Sequence, residues 1–166
     1  MKEFEDLKKQ HTVLLEELEE IKEGQSETIE KYKMDIVNEV FELFQSKGFE
    51  PMRPFDTKVE INYGDFSLFC GYYGNQDVYV NKSRHTDLFI IKVKTNIDYE
   101  EPNFNYLQDI EKISTVKQEI KNIGSLINAS DNLTLNYLIS MPNTFDQNPI
   151  LRNTAKEVVD FIVKKI

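Results

Sequence analysis

The stretch Lys58-Val59-Glu60-Ile61-Asn62-Tyr63-Gly64-Asp65-Phe66-Ser67-Leu68-Phe69-Cys70-Gly71-Tyr72 decides the fold. Val59, Ile61 and Tyr63 alternate with Lys58, Glu60 and Asn62, which is the two-residue period of a half-buried strand. Phe66, Leu68, Cys70 and Tyr72 form a second row of the same period, and Gly64-Asp65 between the rows is a two-residue hairpin turn. Gly74-Asn75 marks the next turn, and Val78 with Val80 makes a short third strand. The run Leu88-Phe89-Ile90-Ile91-Lys92-Val93-Lys94 is the strongest strand, with Phe89, Ile91 and Val93 on one face. Four short strands joined by tight turns read as an antiparallel meander.

Toward the N-terminus the period changes. Phe4, Leu7, His11, Leu14, Leu18 and Ile21 follow the spacing of heptad positions a and d, a narrow coiled-coil-like seam. Tyr32, Ile36, Val40 and Leu43 resume the pattern after Gln25 and Ile29. Two readings stay open here: one continuous helix with a four-residue stutter, or a break at Gly24 with Ser26 capping a second helix. The second half has a wider apolar face, Ile36, Val37, Val40, Phe41, Leu43 and Phe44, suited to docking on a sheet. Gly48 ends it, and Pro51 and Pro54 keep the exit extended.

Toward the C-terminus, the acidic loop 98–102 precedes a helix striped with Leu107, Ile110, Ile113, Val116, Ile120 and Ile123, which Gly124 is expected to end. A hairpin is expected from Leu126 to Met141, turning at Asp131-Asn132, with Leu133, Leu135, Tyr137, Ile139 and Met141 as its clear strand. A final helix is expected to open with Asn148 as N-cap and Pro149 at its first position. The fold class is therefore α+β: a long coiled-coil-like N-terminal helix, an antiparallel meander, a helix, a β-hairpin and a C-terminal helix. The expected division is residues 1–33 for the coiled-coil-like helix and 34–166 for an α+β domain.

A chain of 166 residues holds one ordinary core. Its first residues lack the apolar core of a signal peptide, no run approaches membrane-spanning length, and a single cysteine excludes an internal disulfide, so a cytoplasmic protein is expected. Lysine far outnumbers arginine, and Ile and Asn abound, a bias that suits the AT-rich genomes of some bacteria or their phages. The formal charge is −9: residues 1–48 hold 13 acidic and 7 basic side chains, residues 49–102 hold 9 and 6, and residues 103–166 hold 7 of each. No segment supplies the basic face that displaces counterions from nucleic acid, which disfavours nucleic-acid and anionic-membrane partners.

The candidate chemistry is sparse. His11 falls on the helix seam, where a polar residue sets register or oligomer state, and where a histidine also offers a protonation switch. His85 with Asp87 reads as a solvated hairpin connection. Cys70 shares a strand face with Phe66 and Leu68 and reads as a small buried hydrophobe. The sequence contains no glycine-rich phosphate loop, nucleophile motif or metal-ligand spacing, so no catalytic residue, metal or cofactor is assigned.

Two resemblances follow from the order of elements. Phe89-Ile90-Ile91-Lys92-Val93-Lys94 amid helices and strands resembles the core of restriction-endonuclease-like nucleases, with Asp77 and Lys94 in two of the family's positions. Lys92 stands where that family has a carboxylate, so the resemblance implies an inactive nuclease. The helix 107–123, the hairpin ending at Met141-Pro142 and the closing helix look like the type III secretion chaperone-like fold, shared with bacterial sensory-transduction regulators. That resemblance implies a small, dimeric, non-enzymatic protein that binds a protein client. The expected function is thus a protein-binding module, chaperone-like or a regulatory adaptor, and a homodimer. The alternatives are the inactive nuclease-like domain or an acidic phage-type inhibitor that mimics nucleic acid. The expected partner-binding residues are Phe4, Leu7, His11, Leu14, Leu18 and Ile21 on the seam, with Phe69 and Tyr73 among the strand aromatics that alternation turns away from the core.

Overall fold

A computed structural model of the chain describes residues 1–83, 86–144 and 148–166, with the backbone alone at 83, 86 and 87. The chain is α+β. In order it runs α1 (Lys2–Gly24), α2 (Ser26–Ser46), β1 (Met52–Phe55), β2 (Lys58–Tyr63), β3 (Phe66–Gly71), β4 (Val78–Ser83), β5 (Thr86–Thr95), α3 (Asp109–Ala129), β6 (Leu135–Ser140), β7 (Ile150–Arg152) and α4 (Ala155–Lys165). The seven strands form one sheet in sequence order, and successive strands pair antiparallel from β1 through β5 and between β6 and β7.

Chain contacts divide the protein into two compact units, each built from two stretches. The helical unit comprises residues 1–26 and 95–134, and the sheet unit comprises residues 27–94 and 135–166. The division is thus not a single cut after residue 33: residues 95–134 return to the N-terminal helix, and α2 belongs with the sheet.

In the sheet unit, strand alternation selects one apolar face. Val59 pairs with Cys70, Cys70 with Val80, and Val80 with Phe89, so one cross-strand row is apolar throughout. Ile36, Val37, Val40 and Phe44 of α2 and Val158, Val159 and Ile162 of α4 complete this core. Burial of that area is the main stabilising term. Burial also pushes the Cys70 thiol up to about 12, which leaves it inert as a nucleophile near neutral pH. The hairpin between β2 and β3 turns at Gly64, whose φ of 58° supplies the left-handed residue this turn needs. The edge strand β1 is exposed throughout, carries Pro54 and has an irregular register, features that discourage pairing with another chain.

In the helical unit, contacts rise together along both long helices, so α1 and α3 run parallel. Phe4 lies under the Lys112 ammonium, Glu3 pairs with Lys117, and Leu18 shares a buried cluster with Ile123. Leu14, Leu15, Ile21, Tyr99, Leu126, Ile127 and Leu133 pack around that cluster, and Ile97 is fully buried in it.

Several expectations shift by one element. Helix α1 ends at Gly24 and α2 starts at Ser26, the broken-helix reading. The meander has five strands, because the proline-flanked exit segment pairs as β1. Gly124 does not end α3, which continues to Ala129, because Ile123, Leu126 and Ile127 keep the apolar period across it. The hairpin is therefore β6 with β7, and not a pair turning at Asp131-Asn132. Asn148 and Pro149 precede β7, and α4 starts at Ala155, where the Thr154 hydroxyl caps the Glu157 amide.

Candidate functional site

The face of the sheet opposite α2 and α4 carries a concavity of about 740 Å³ within the sheet unit. Two cross-strand rows make its floor. Lys58, Gly71, Tyr79 and Ile90 stand in one row, and Glu60, Phe69 and Asn81 in the next. Gly71 contributes no side chain between Lys58 and Tyr79, and that gap deepens the floor. The glycine is fixed there by a close approach: a Cβ would stand 2.6 Å from the Thr57 carbonyl oxygen. Tyr73, Asn75, Gln76 and Asp77, on the connection from β3 to β4, form one wall.

The lining combines aromatic rings with charge. Tyr73 and Tyr79 stack with ring centres 5.8 Å apart and planes 18° from parallel, and their hydroxyls are 3.5 Å apart. Burial, then the hydrogen bond with Tyr73, raises the Tyr79 phenol above its ordinary range, so that ring stays neutral in the physiological range. The Lys58 ammonium lies 3.2 Å from a Glu60 carboxylate oxygen and 5.8 Å from the centre of the Phe69 ring. A bulge in the β4–β5 pairing begins beside Asn81, whose side-chain oxygen is buried without a hydrogen-bond partner among the described residues. Asp77 is exposed.

The wall is held from behind by a buried lysine. Lys33 on α2 is 4% exposed, and its ammonium donates to the Gln76 carbonyl at 2.8 Å. The same ammonium lies 5.3 Å from the ring centre of Tyr72, whose hydroxyl donates to Glu30. Gln76 in turn closes the connection by donating its amide to the Tyr73 carbonyl, and Gly74 takes the left-handed turn with φ 52°. Lys33 therefore acts as a positioning residue for the wall.

Of the residues expected to bind a partner, Phe69 and Tyr73 lie on this open face, Tyr73 with 57% of its surface exposed. The seam residues are used otherwise. His11 and Leu18 have no exposed surface, and Phe4, Leu7, Leu14 and Ile21 are half-buried. Within the helical unit Phe4 meets Phe104 edge-on, and Leu14, Leu18 and Ile21 pack on the α3 cluster. Sequence reasoning did not single out Lys58, Glu60 or Asn81. Their positions, opposite the apolar residues of β2 and β4, were the available signal. Asp77, one of the residues in the nuclease-like resemblance, lies on the wall of the concavity, while Lys92 and Lys94 are exposed on β5. Among the described residues no three His, Cys, Asp or Glu side chains converge to hold a metal ion. His85 lies outside the described residues. Among the described residues no helix is long and apolar enough to cross a membrane. No protein-family model, curated protein or solved structure matches the chain.

Proposed function

We propose that the protein is a non-enzymatic binding module that holds a basic segment of a partner protein against the open face of its sheet. One observation carries this reading: Phe69 and Tyr79, by strand alternation, and Tyr73, from the connection after β3, stand on that face beside the carboxylates of Glu60 and Asp77. Tyrosine and phenylalanine are favoured interface anchors because they supply large contact area with few rotatable bonds. An ammonium or guanidinium gains from both ring faces and carboxylates. Lys58 already rests in such a setting, on Glu60 and over Phe69, so the face is chemically suited to cations. The net charge of −9 draws a basic partner in and repels nucleic acid.

Selection from a random peptide display library against the full chain tests the proposal. Sequences rich in Arg or Lys beside an apolar residue should be enriched, and a Phe69→Ala/Tyr73→Ala variant should fail to retain them. Failure to enrich any sequence, or equal retention by the variant, would sink it.

A further inference from the structure

His11 is the most enclosed polar side chain of the helical unit, with no exposed surface. Its Nε2 lies 3.1 Å from the Tyr99 hydroxyl, and that hydroxyl donates to a Glu119 carboxylate oxygen at 2.7 Å. The direction of these bonds fixes the tautomer. An ionised carboxylate only accepts, so the phenol proton is committed to Glu119. Tyr99 can then only accept from His11, and the neutral ring carries its proton on Nε2. The other nitrogen, Nδ1, keeps its lone pair, is buried, and has no hydrogen-bond partner among the described residues. The ring is held edge-on to Phe104, with centres 5.8 Å apart at 85°. A bond chain thus runs from α1 through the segment after β5 to α3.

We infer that this His11–Tyr99–Glu119 chain is a proton-operated latch, closed while His11 is neutral and loosened when Nδ1 takes up a proton. The charged and titratable groups facing the ring are Lys8 from α1, Tyr99 and Glu101 from the segment after β5, and Glu119 from α3. The Glu101 carboxylate faces Nδ1, but its oxygen is 3.9 Å away, beyond hydrogen-bond range. The same oxygen is already taken by Lys8 at 2.6 Å. A protonated ring must therefore leave Nδ1–H unpaired in a closed site or swing toward Glu101 and give up Tyr99. Either outcome weakens the tie between α1 and α3.

Burial first, then the Lys8 charge, lowers the His11 pKa from 6.5, against the opposing pull of Glu101 and Glu119. The sign follows. A folded-state value below the unfolded one means the closed unit binds fewer protons than the open one. The latch's contribution is complete above about pH 6.5 and is lost as pH falls through the lowered folded value. Loosening exposes the apolar seam of Leu14, Leu18 and Ile21.

Amide hydrogen exchange of the full chain, at neutral pH and at about pH 5.5, where a free histidine is charged, reads the latch after correction for intrinsic rates. Protection across residues 4–21 should fall several-fold on acidification, while strands β2–β5 hold theirs. His11→Gln, which keeps a donor for Tyr99 but cannot titrate, should show no such fall. Equal protection of α1 at both pH values in the wild type would overturn the latch, as would the same loss in His11→Gln. An NMR titration of the wild-type imidazole keeps the inference testable if His11→Gln folds poorly. Protonation at or above the free-histidine value would refute it.

Discussion

The helical unit and the sheet unit solve the burial problem differently. In the first, a narrow stripe on α1 meets a stripe on α3, and every seam side chain from Phe4 to Ile21 is at least half-buried. In the second, α2 and α4 pack on one sheet face, while the opposite face displays Tyr73 with more than half its surface exposed. A helix has one apolar stripe, and one neighbour satisfies it. A sheet has two faces, and a row of aromatics on the second is not required by the core on the first. That asymmetry points the search for a partner at the sheet.

The largest effect expected from this contrast is in the closed unit. Leu18 has no exposed surface and sits in the small cluster with Ile97 and Ile123. Leu18→Ala should lower unfolding stability by about 3.5 kcal/mol, the middle of the range for buried leucines. Chemical denaturation followed by circular dichroism measures this. A loss under about 1 kcal/mol would mean that the α1–α3 seam collapses easily around the cavity, and the unit would be less closed than its burial implies.

Legibility of the fold tracked how far each signal depends on tertiary context. The hairpin from Lys58 to Tyr72 was readable because a two-residue period, a two-residue turn and a glycine agree on one register. The end of α3 was not, since Gly124 is a plausible stop by propensity, and only packing of Leu126 and Ile127 on the Leu18–Ile97–Ile123 cluster carries the helix past it. Asn148-Pro149 misled for the same reason: it offers good capping chemistry, but Ile150 and Leu151 pair with β6 before Thr154 provides the actual cap. For the open face, alternation turns Phe69 away from the core and Tyr73 stands exposed on the following connection, yet Lys33 was invisible. A lysine on a helix reads as solvated, and nothing local reports that it is buried behind a distant turn.

Lys33 gives the intermediate prediction. Lys33→Met keeps the apolar stem but removes the donor to the Gln76 carbonyl, leaving that carbonyl without its lysine partner. Stability should drop by about 1–2 kcal/mol. The wall bearing Tyr73 and Asp77 should loosen, so binding of a selected basic peptide should weaken although Lys33 itself lines no part of the concavity. Titration calorimetry with that peptide reads the second effect. Unchanged affinity would show that the wall holds its shape without the lysine, and Gly74 with the Gln76-to-Tyr73 bond would be enough to set it.

The smallest stability effect should come from the open face itself. Tyr73 is 57% exposed, and its ring and hydroxyl meet those of Tyr79. Tyr73→Ala should therefore shift unfolding stability by no more than about 0.5–1 kcal/mol, as for a surface substitution that removes one ring contact. The same variant should lose most of its affinity for a selected peptide, because an interface anchor is measured by what it contacts in the complex and not in the free protein. A large stability loss would instead make Tyr73 a structural residue, since a side chain that holds the free fold together is not spare for a partner. A small stability loss with affinity retained would move the anchor to Phe69 and the Lys58–Glu60 pair, whose ring, ammonium and carboxylate already sit together on the adjoining strands.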